Sequence, residues 1–422
     1  MTSLALLFWI ASGIVIQAAI YLGIEFWRHW QDYQAMRKRS VELNLPVMQQ
    51  ASLSVEEPRV LAWAGFRTFR VDRKIIEDSR QSVCSFYLVP EDGQALPAFL
   101  PGQFLTFRIE VTTATGATEQ FIRCYSLSDA PNPKYYRVSI KRLSPPPGCS
   151  ALPGHSSNFF HDCVDSGSLL QVRAPSGHFH IDRSDDPVVL IGGGIGLTPM
   201  LSMLNWCLAE QPRREIWLFY GVRNSSEMMM KSHLETLAMT HPQFRLRVCF
   251  SDPLPEDVAV RDYQFGVRVD INVLRMQLPL KPYHFYICGP SSMMETLVPG
   301  LEDWGVPNPR IHFEAFGPAS IKRRTAMNIL SESTTTNTNV MVNFTRSDQQ
   351  LTWQPEAGSL LEFAEANGIA INSGCRAGGC GSCQTTIQAG EVSYRQAPDF
   401  DPEPGTCLLC VCTPKTSVTL EA

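Results

Sequence analysis

Charge is scarce in this chain of 422 residues, and basic charge is not in excess. Charged residues make up 18% and the net charge is −5. A global nucleic-acid-binding surface is therefore excluded, because such surfaces need a basic excess. No internal repeat is present, which excludes solenoids and propellers. Nor is there the even cysteine count of a disulfide scaffold: the 13 cysteines are odd in number, and clustered cysteines in a long chain more often bind metal or do redox work. Cys84, Cys124, Cys149, Cys163, Cys207, Cys249, Cys288, Cys407 and Cys412 are scattered or loosely grouped and are expected mostly as small buried hydrophobes. Apolar residues stand at 44%, ordinary for a globular protein, and the length allows roughly two to four folding units.

The first charge-free stretch is itself informative. Leu4 to Ile24 carries no charged residue. At 1.5 Å per residue such a helix crosses a hydrocarbon core of roughly 30 Å. Trp27 and Trp30 follow at the expected headgroup level, then Arg28, Arg37, Lys38 and Arg39. A cleaved signal peptide would carry its positive charge before the apolar run. The expectation is a transmembrane anchor over residues 1–30, with everything downstream in the cytoplasm, and a polar juxtamembrane spacer over 31–60.

From Phe66 to Ile181 short alternating strands are punctuated by Gly and Pro, as in Pro101-Gly102 and Pro145-Pro146-Pro147-Gly148. This rhythm predicts an antiparallel β-barrel over 61–183. From Pro187 strands alternate with helices, which predicts an α/β parallel-sheet domain over 184–320. There Thr198 is expected as the N-cap of a helix, with Pro199 at its first position. The polar SESTTTNTN run ending at Asn339 reads as part of a linker over 321–339. Residues 340–422 form a separate module.

That module carries the most specific motif. Cys375, Cys380 and Cys383 have C-x4-C-x2-C spacing, which with a distant fourth cysteine is the plant-type [2Fe–2S] pattern. Gly378, Gly379 and Gly381 let the backbone turn tightly around a compact anionic cluster. Zinc sites usually come as paired short-spaced cysteines or Cys/His sets; the specific C-x4-C-x2-C run favours the [2Fe–2S] cluster over zinc. Cys407, Cys410 and Cys412 are all available as the fourth ligand.

Two further groups of residues suggest cofactors. Arg123, Tyr125, Ser126 and Ser128 sit on a predicted barrel strand, where Arg can pair with a pyrophosphate, Tyr can lie on a flavin ring and Ser can bond its edge. The stretch from Gly154 through Ser157 and Asn158 reads as a glycine turn opening a helix, a natural anion site. Gly192, Gly193, Gly194 and Gly196, with Thr198, lie between a buried strand and a helix, as a dinucleotide-phosphate turn requires. Cys288, Gly289 and Pro290 fall at another strand's carboxyl end, where ligands of open α/β sheets bind.

Together these motifs resemble the ferredoxin–NADP+ reductase superfamily, fused to a C-terminal plant-type ferredoxin with an α+β (β-grasp) fold. The stretch from Arg123 to Pro199 is especially similar to the reductase part of flavohaemoglobins, and the domain order resembles phthalate dioxygenase reductase and other class IA oxygenase reductases. No globin precedes it, so haem chemistry is not implied. The resemblance implies that Arg123, Tyr125, Ser126 and Ser128 bind a flavin, with Gly154, Ser157 and Asn158 on its phosphates. It implies that Gly193, Gly194, Gly196 and Thr198 hold the nicotinamide dinucleotide, that Cys288, Gly289 and Pro290 flank its nicotinamide, and that Glu314 and Phe316 cap the flavin. Tyr125, Ser126, Cys288 and Glu314 are then the catalytic candidates, and Cys410 the fourth iron ligand, with Cys412 the alternative. The flavohaemoglobin-like segment favours FAD over FMN.

The chemistry implied is NAD(P)H-dependent electron transfer through FAD and [2Fe–2S] to an external acceptor. A membrane anchor points to a partner such as an oxygenase or desaturase; quinone reduction and a non-enzymatic adaptor are the alternatives. Arg223 and the serines after it could hold a 2′-phosphate, but Ser251-Asp252-Pro253 lacks a second Arg, so the balance favours NADH.

Overall fold

The computed structural model describes residues 62, 63, 65–112, 118–143, 155–316, 340–371, 373, 374, 376, 378, 381–394, 398 and 402–422. The expected anchor, spacer and linker, and Gly154, Cys375 and Cys380, lie outside the described residues. Among the described residues no helix is long and apolar enough to cross a membrane.

The first sheet has six antiparallel strands: β1 Arg67–Ile76, β2 Val83–Pro90, β3 Phe104–Thr112, β4 Thr118–Ser126, β5 Tyr136–Lys141 and β6 Leu169–Ser176. Their order is β4-β3-β6-β1-β2-β5. A bridge between Leu127 and Val138 joins the two edges, and the Ser128 N–H donates to the Arg137 carbonyl at 2.8 Å. The sheet therefore curls on itself, as the strand spacing predicts. Phe69, Phe86, Leu88, Leu105, Phe107 and Val138 fill its interior, and the helix α1, His155–Cys163, adds Phe160 to that core.

The second sheet is parallel: β7 Val188–Gly193, β8 Ile216–Val222, β9 Phe244–Phe250, β10 His284–Gly289 and β11 Ile311–Ala315, in the order β11-β10-β7-β8-β9. Val188 and Leu190 join one core with Met200 and Leu204 of α2, Leu197–Glu210. Val189 and Ile191 join another with Leu297 and Leu301 of the helix Ser291–Asp303. Burial on both faces explains why β7 reads as a continuous apolar run rather than an alternating one. The chain runs outward from β7 through β8 to β9 and then returns to place β10 on the other side of β7. The carboxyl ends of β7 and β10 thus form the switch point at which such sheets open a crevice.

The third unit packs β12 Met341–Phe344, β13 Gln349–Thr352, β14 Gln384–Ala389, β16 Thr406–Leu408 and β18 Val418–Leu420 in the order β13-β12-β18-β14-β16. A short pair, β15 Val392–Tyr394 and β17 Cys412–Pro414, stands beside them. The helix Leu360–Ala366 begins with a capping box in which Ser359 and Glu362 satisfy each other's backbone N–H. The parallel β12–β18 pair and this helix give the β-grasp arrangement.

Candidate flavin, nicotinamide and iron–sulfur sites

At the switch point two strand ends touch through their backbones. Cys288 on β10 is the register partner of Gly192 on β7. A Cβ on Gly196 would strike the Cys288 carbonyl and lie 2.7 Å from the Gly289 nitrogen. Gly194, by contrast, has φ +55 and open space where a side chain would be, so its backbone can meet a ligand closely. The helix start differs from expectation. Residues Gly194–Gly196 form a single 3-10 turn that runs straight into α2, so Gly196 is the cap, without any side-chain cap bond. Thr198 sits inside the first helical turn and donates its hydroxyl to the Ile195 carbonyl at 3.0 Å. The glycines allow the chain to enter the helix without an extended cap residue, which the Thr-Pro pair does not reveal.

A cleft of about 650 Å³ opens here, lined among others by Gly193, Gly194, Arg223, Arg268, Pro290 and Met293. Among the described residues Arg268 has no carboxylate partner, so its charge is available to a phosphate.

Glu314 on β11 is the register partner of Cys288. Its Oε2 is enclosed and has no hydrogen-bond partner among the described residues. Burial raises its carboxyl from 4.5 to about 8. The Cys288 thiol is pushed up by burial and, secondarily, by Glu314. Phe316 follows, 44% exposed. Because the folded value of Glu314 is raised, its neutral form contributes stability that is complete below 4.5 and is lost as pH climbs through about 8. Wild-type protein is expected to lose resistance to urea between about pH 5.5 and about pH 8.5, and Glu314→Gln to lose distinctly less. Equal losses in both proteins would refute this assignment.

In the barrel Tyr125 is held edge-on between Phe107 and Phe160, with centroids at 5.7 and 5.2 Å. Its hydroxyl lies 2.8 Å from the Ser156 hydroxyl, and burial pushes its phenol up to about 12, so it stays neutral. Arg123 is exposed and donates to the Ile122 carbonyl at 2.7 Å; no carboxylate pairs with it among the described residues. Ser126 and Ser176 flank Phe104 across adjacent strands. Both are buried, and the Ser176 hydroxyl has no partner among the described residues. An unpaired cation, a pinned phenol and an orphaned hydroxyl at one end of the barrel fit a flavin. Ser128 is placed differently from its neighbours: it is fully buried, with its hydroxyl 2.8 Å from that of Ser139 and accepting from Arg137 Nε at 3.2 Å. It shapes the strand end from within. Ser157 accepts from the Leu143 N–H at 3.1 Å, and Asn158 reaches Arg142 and the Leu143 carbonyl, each at 3.5 Å, so both tie α1 to the end of β5.

In the third unit Arg376, Gly378 and Gly381 all have positive φ, of 57, 74 and 73. This winding is what a tight cysteine loop needs. Arg376 grips Glu365 with two nitrogens, one bond at 2.9 Å. Cys383 is 3% exposed, and its carbonyl accepts from the Leu409 N–H at 3.2 Å, which brings the segment bearing Cys410 beside it. Cys410 lies in the turn between β16 and β17. Cys407 and Cys412 lie on those strands, fully buried, in hydrogen-bond contact with one another and with the Cys412 thiol raised. The donor set fits a cluster in which Cys383 and Cys410 serve as ligands.

The sequence reading missed Glu227, Arg268, Ser176 and Asp129. Asp129 receives the Asn205 amide of α2 at 2.7 Å and binds the barrel's Arg137 at 3.4 Å, joining the two domains. Its place directly after the Arg-x-Tyr-Ser stretch was the available signal; for Ser176 it was the Pro175-Ser176-Gly177 turn signature.

The oxidoreductase NAD-binding domain family matches residues 190–298, and the 2Fe-2S iron-sulfur cluster binding domain family matches 342–415. The flavohemoprotein of Rhizobium meliloti is 40% identical over 263 residues, covering 62% of this chain and 63% of the relative. That of Halalkalibacterium halodurans is 34% identical over 298 residues, covering 70% of this chain and 69% of the relative. The solved flavohem-like FAD/NAD-binding domain of a nitric oxide dioxygenase from Vibrio cholerae is 33% identical with a TM-score of 0.52, covering 60% of this chain and all of that one. The chain spans less than two thirds of the length of the first curated relatives it matches, 62% and 63%. The chain belongs to the ferredoxin–NADP+ reductase-like flavoproteins, in the branch that includes the flavohemoprotein reductase portion, with a [2Fe–2S] domain at its C-terminal end. Its NAD-binding and 2Fe-2S domains are those of the electron-transfer reductase type of oxidoreductase, whose cofactors are FAD, [2Fe–2S] and NADH or NADPH.

Proposed function

We propose that this chain is a membrane-anchored reductase, held by Leu4–Ile24 in the cell inner membrane with its catalytic domains in the cytoplasm. It passes electrons from NAD(P)H to a partner oxygenase, desaturase or other metalloprotein. The observation that carries the reading is the convergence at one switch point of the Gly192–Gly196 turn, Cys288 and the orphaned Glu314 carboxyl, in a chain that also holds the cysteine loop.

When bound, FAD supplies the step from two-electron to one-electron chemistry, and the cluster supplies the one-electron exit. The protein's part is positioning. Gly194 presents open backbone to the dinucleotide, and Arg268, which has no carboxylate partner among the described residues, presents its charge. Cys288 and Pro290 hold its ring end against the barrel. Ser126 and the neutral Tyr125 set the flavin edge. Glu314, half-buried with its Oε2 enclosed and protonated up to about pH 8, keeps a proton at the reacting face without placing a negative charge there. The run of apolar residues before Glu25 supports a partner at the membrane.

Purified full-length protein is expected to lose its flavin absorbance anaerobically on addition of NADH or NADPH, and then to reduce cytochrome c. It is also expected to sediment with membranes unless residues 1–30 are removed. No bleaching by either nucleotide would sink the reductase reading; a soluble full-length chain would sink the anchor.

A further inference from the structure

The dinucleotide cleft contains one carboxylate held by three cations. Glu227 ends the short 3-10 turn Ser225–Glu227 just after β8, and its side chain is 8% exposed. Arg223 pairs with its Oε1. Arg80 reaches the same oxygen at 2.6 Å, and Lys141 reaches Oε2 at 3.4 Å. Arg80 comes from the β1–β2 loop and Lys141 from the end of β5, so the barrel and the nucleotide sheet both contribute. Lys141, Arg223 and Glu227 all line the cleft. The turn is braced from below: the Asn224 amide donates to the Asp252 carbonyl at 3.1 Å, and Ser226 donates to the Asn224 side-chain oxygen at 2.6 Å.

β8 lies beside the glycine-bearing β7, on the side away from β10. In doubly wound nucleotide domains the residues past that neighbouring strand meet the adenosine ribose. A carboxylate there accepts from the 2′-hydroxyl, and an unpaired Arg accommodates a 2′-phosphate.

We propose that Glu227 makes this cleft selective for NADH, by occupying the three cations that a 2′-phosphate would need and presenting a carboxylate to the ribose hydroxyl. The inference rests on the reductase reading above and deepens it. Burial alone would push the Glu227 carboxyl up, but Arg223, Lys141 and Arg80 outweigh it and hold it below the ordinary carboxylate range. It is therefore charged whenever a nucleotide arrives. At Glu227 a 2′-phosphate would meet cations already paired and a fixed negative charge, which among the described residues Arg268 alone on the cleft wall would have to offset, and like charges brought together discriminate strongly. Arg223, which the sequence offers as a 2′-phosphate ligand, is already satisfied.

The test is kcat/KM for NADH and for NADPH in the wild type, Glu227→Gln and Glu227→Asp. Wild type and the Asp variant should prefer NADH. The Gln variant should shift the NADPH-to-NADH ratio upward by at least about tenfold. A residue that only clasps the two domains would lower both values together and leave the ratio unmoved, which overturns the inference. A wild type that prefers NADPH overturns it too. A second measurement needs no variant: 5′-ADP should inhibit the wild type more tightly than 2′,5′-ADP by at least about tenfold, and the reverse order refutes the assignment. Absence of flavin reduction by either nucleotide would instead defeat the reductase reading itself.

Discussion

Cys383→Ser is expected to abolish transfer to cytochrome c while sparing flavin bleaching by the nucleotide. Cys383 is 3% exposed and sits where the glycine-wound loop enters β14. Iron–sulfur clusters of this spacing need thiolate sulfur, and a serine hydroxyl is a poor substitute at neutral pH. Even outer-shell changes at metal sites cost about 10–100-fold in affinity or activity, so loss of a direct ligand should reduce acceptor turnover by at least about 100-fold. The visible absorbance of the cluster should fall with it. The flavin and nucleotide residues lie on other sheets, so anaerobic flavin reduction should remain within about twofold of wild type, as expected for independent sites. Cys410→Ser should behave in the same way. Cys412→Ser should retain the cluster, since its thiol is in contact with that of Cys407. Retention of the cluster in Cys383→Ser, or its loss in Cys412→Ser but not Cys410→Ser, would refute the ligand set.

Gly196→Val is expected to produce the opposite pattern. A Cβ there enters the Cys288 carbonyl and approaches the Gly289 nitrogen at 2.7 Å. Both belong to the parallel ladder of β10, bonded to β7 and β11, so neither backbone group can step aside as a flexible side chain could. Forced overpacking costs about 1–3 kcal/mol, which corresponds to roughly five- to 140-fold in nucleotide affinity if it is released by opening the turn. The measurement is the KM for NADH beside the cluster and flavin spectra. A large rise in KM with both spectra intact is the expected result. Unchanged KM would show that the turn does not form the nucleotide floor.

Most of the architecture is legible in the chain. The alternation of β6, the continuous apolar run of β7 and the strand–helix rhythm after Pro187 each follow from which faces are buried, and burial pattern is a local property. The glycine turn and the cysteine spacing are legible for a similar reason: tight turns and convergent thiolates demand particular residues close together in sequence. Thr198 misled because a Thr-Pro pair is a valid helix start wherever the preceding residue is extended, and here a 3-10 turn precedes it. Ser128 looked like its neighbours on β4, yet the chain turns inward there and spends its hydroxyl on Ser139 and Arg137.

What remained for tertiary structure was pairing across distance. The sequence alone determined the three modules, their order and the residue types that recur around flavin, dinucleotide and cluster. It could not show that Glu314 lies beside Cys288, that Asp129 joins the barrel to α2, or that Glu227 is shared by Arg80, Lys141 and Arg223. Those side chains are between 4 and 147 residues apart. Coulomb and hydrogen-bond energies depend on separation in space, which sequence distance does not give. The cysteine loop and the glycine turn could be read from the chain alone; the partners of Glu227 and Glu314 required the folded structure.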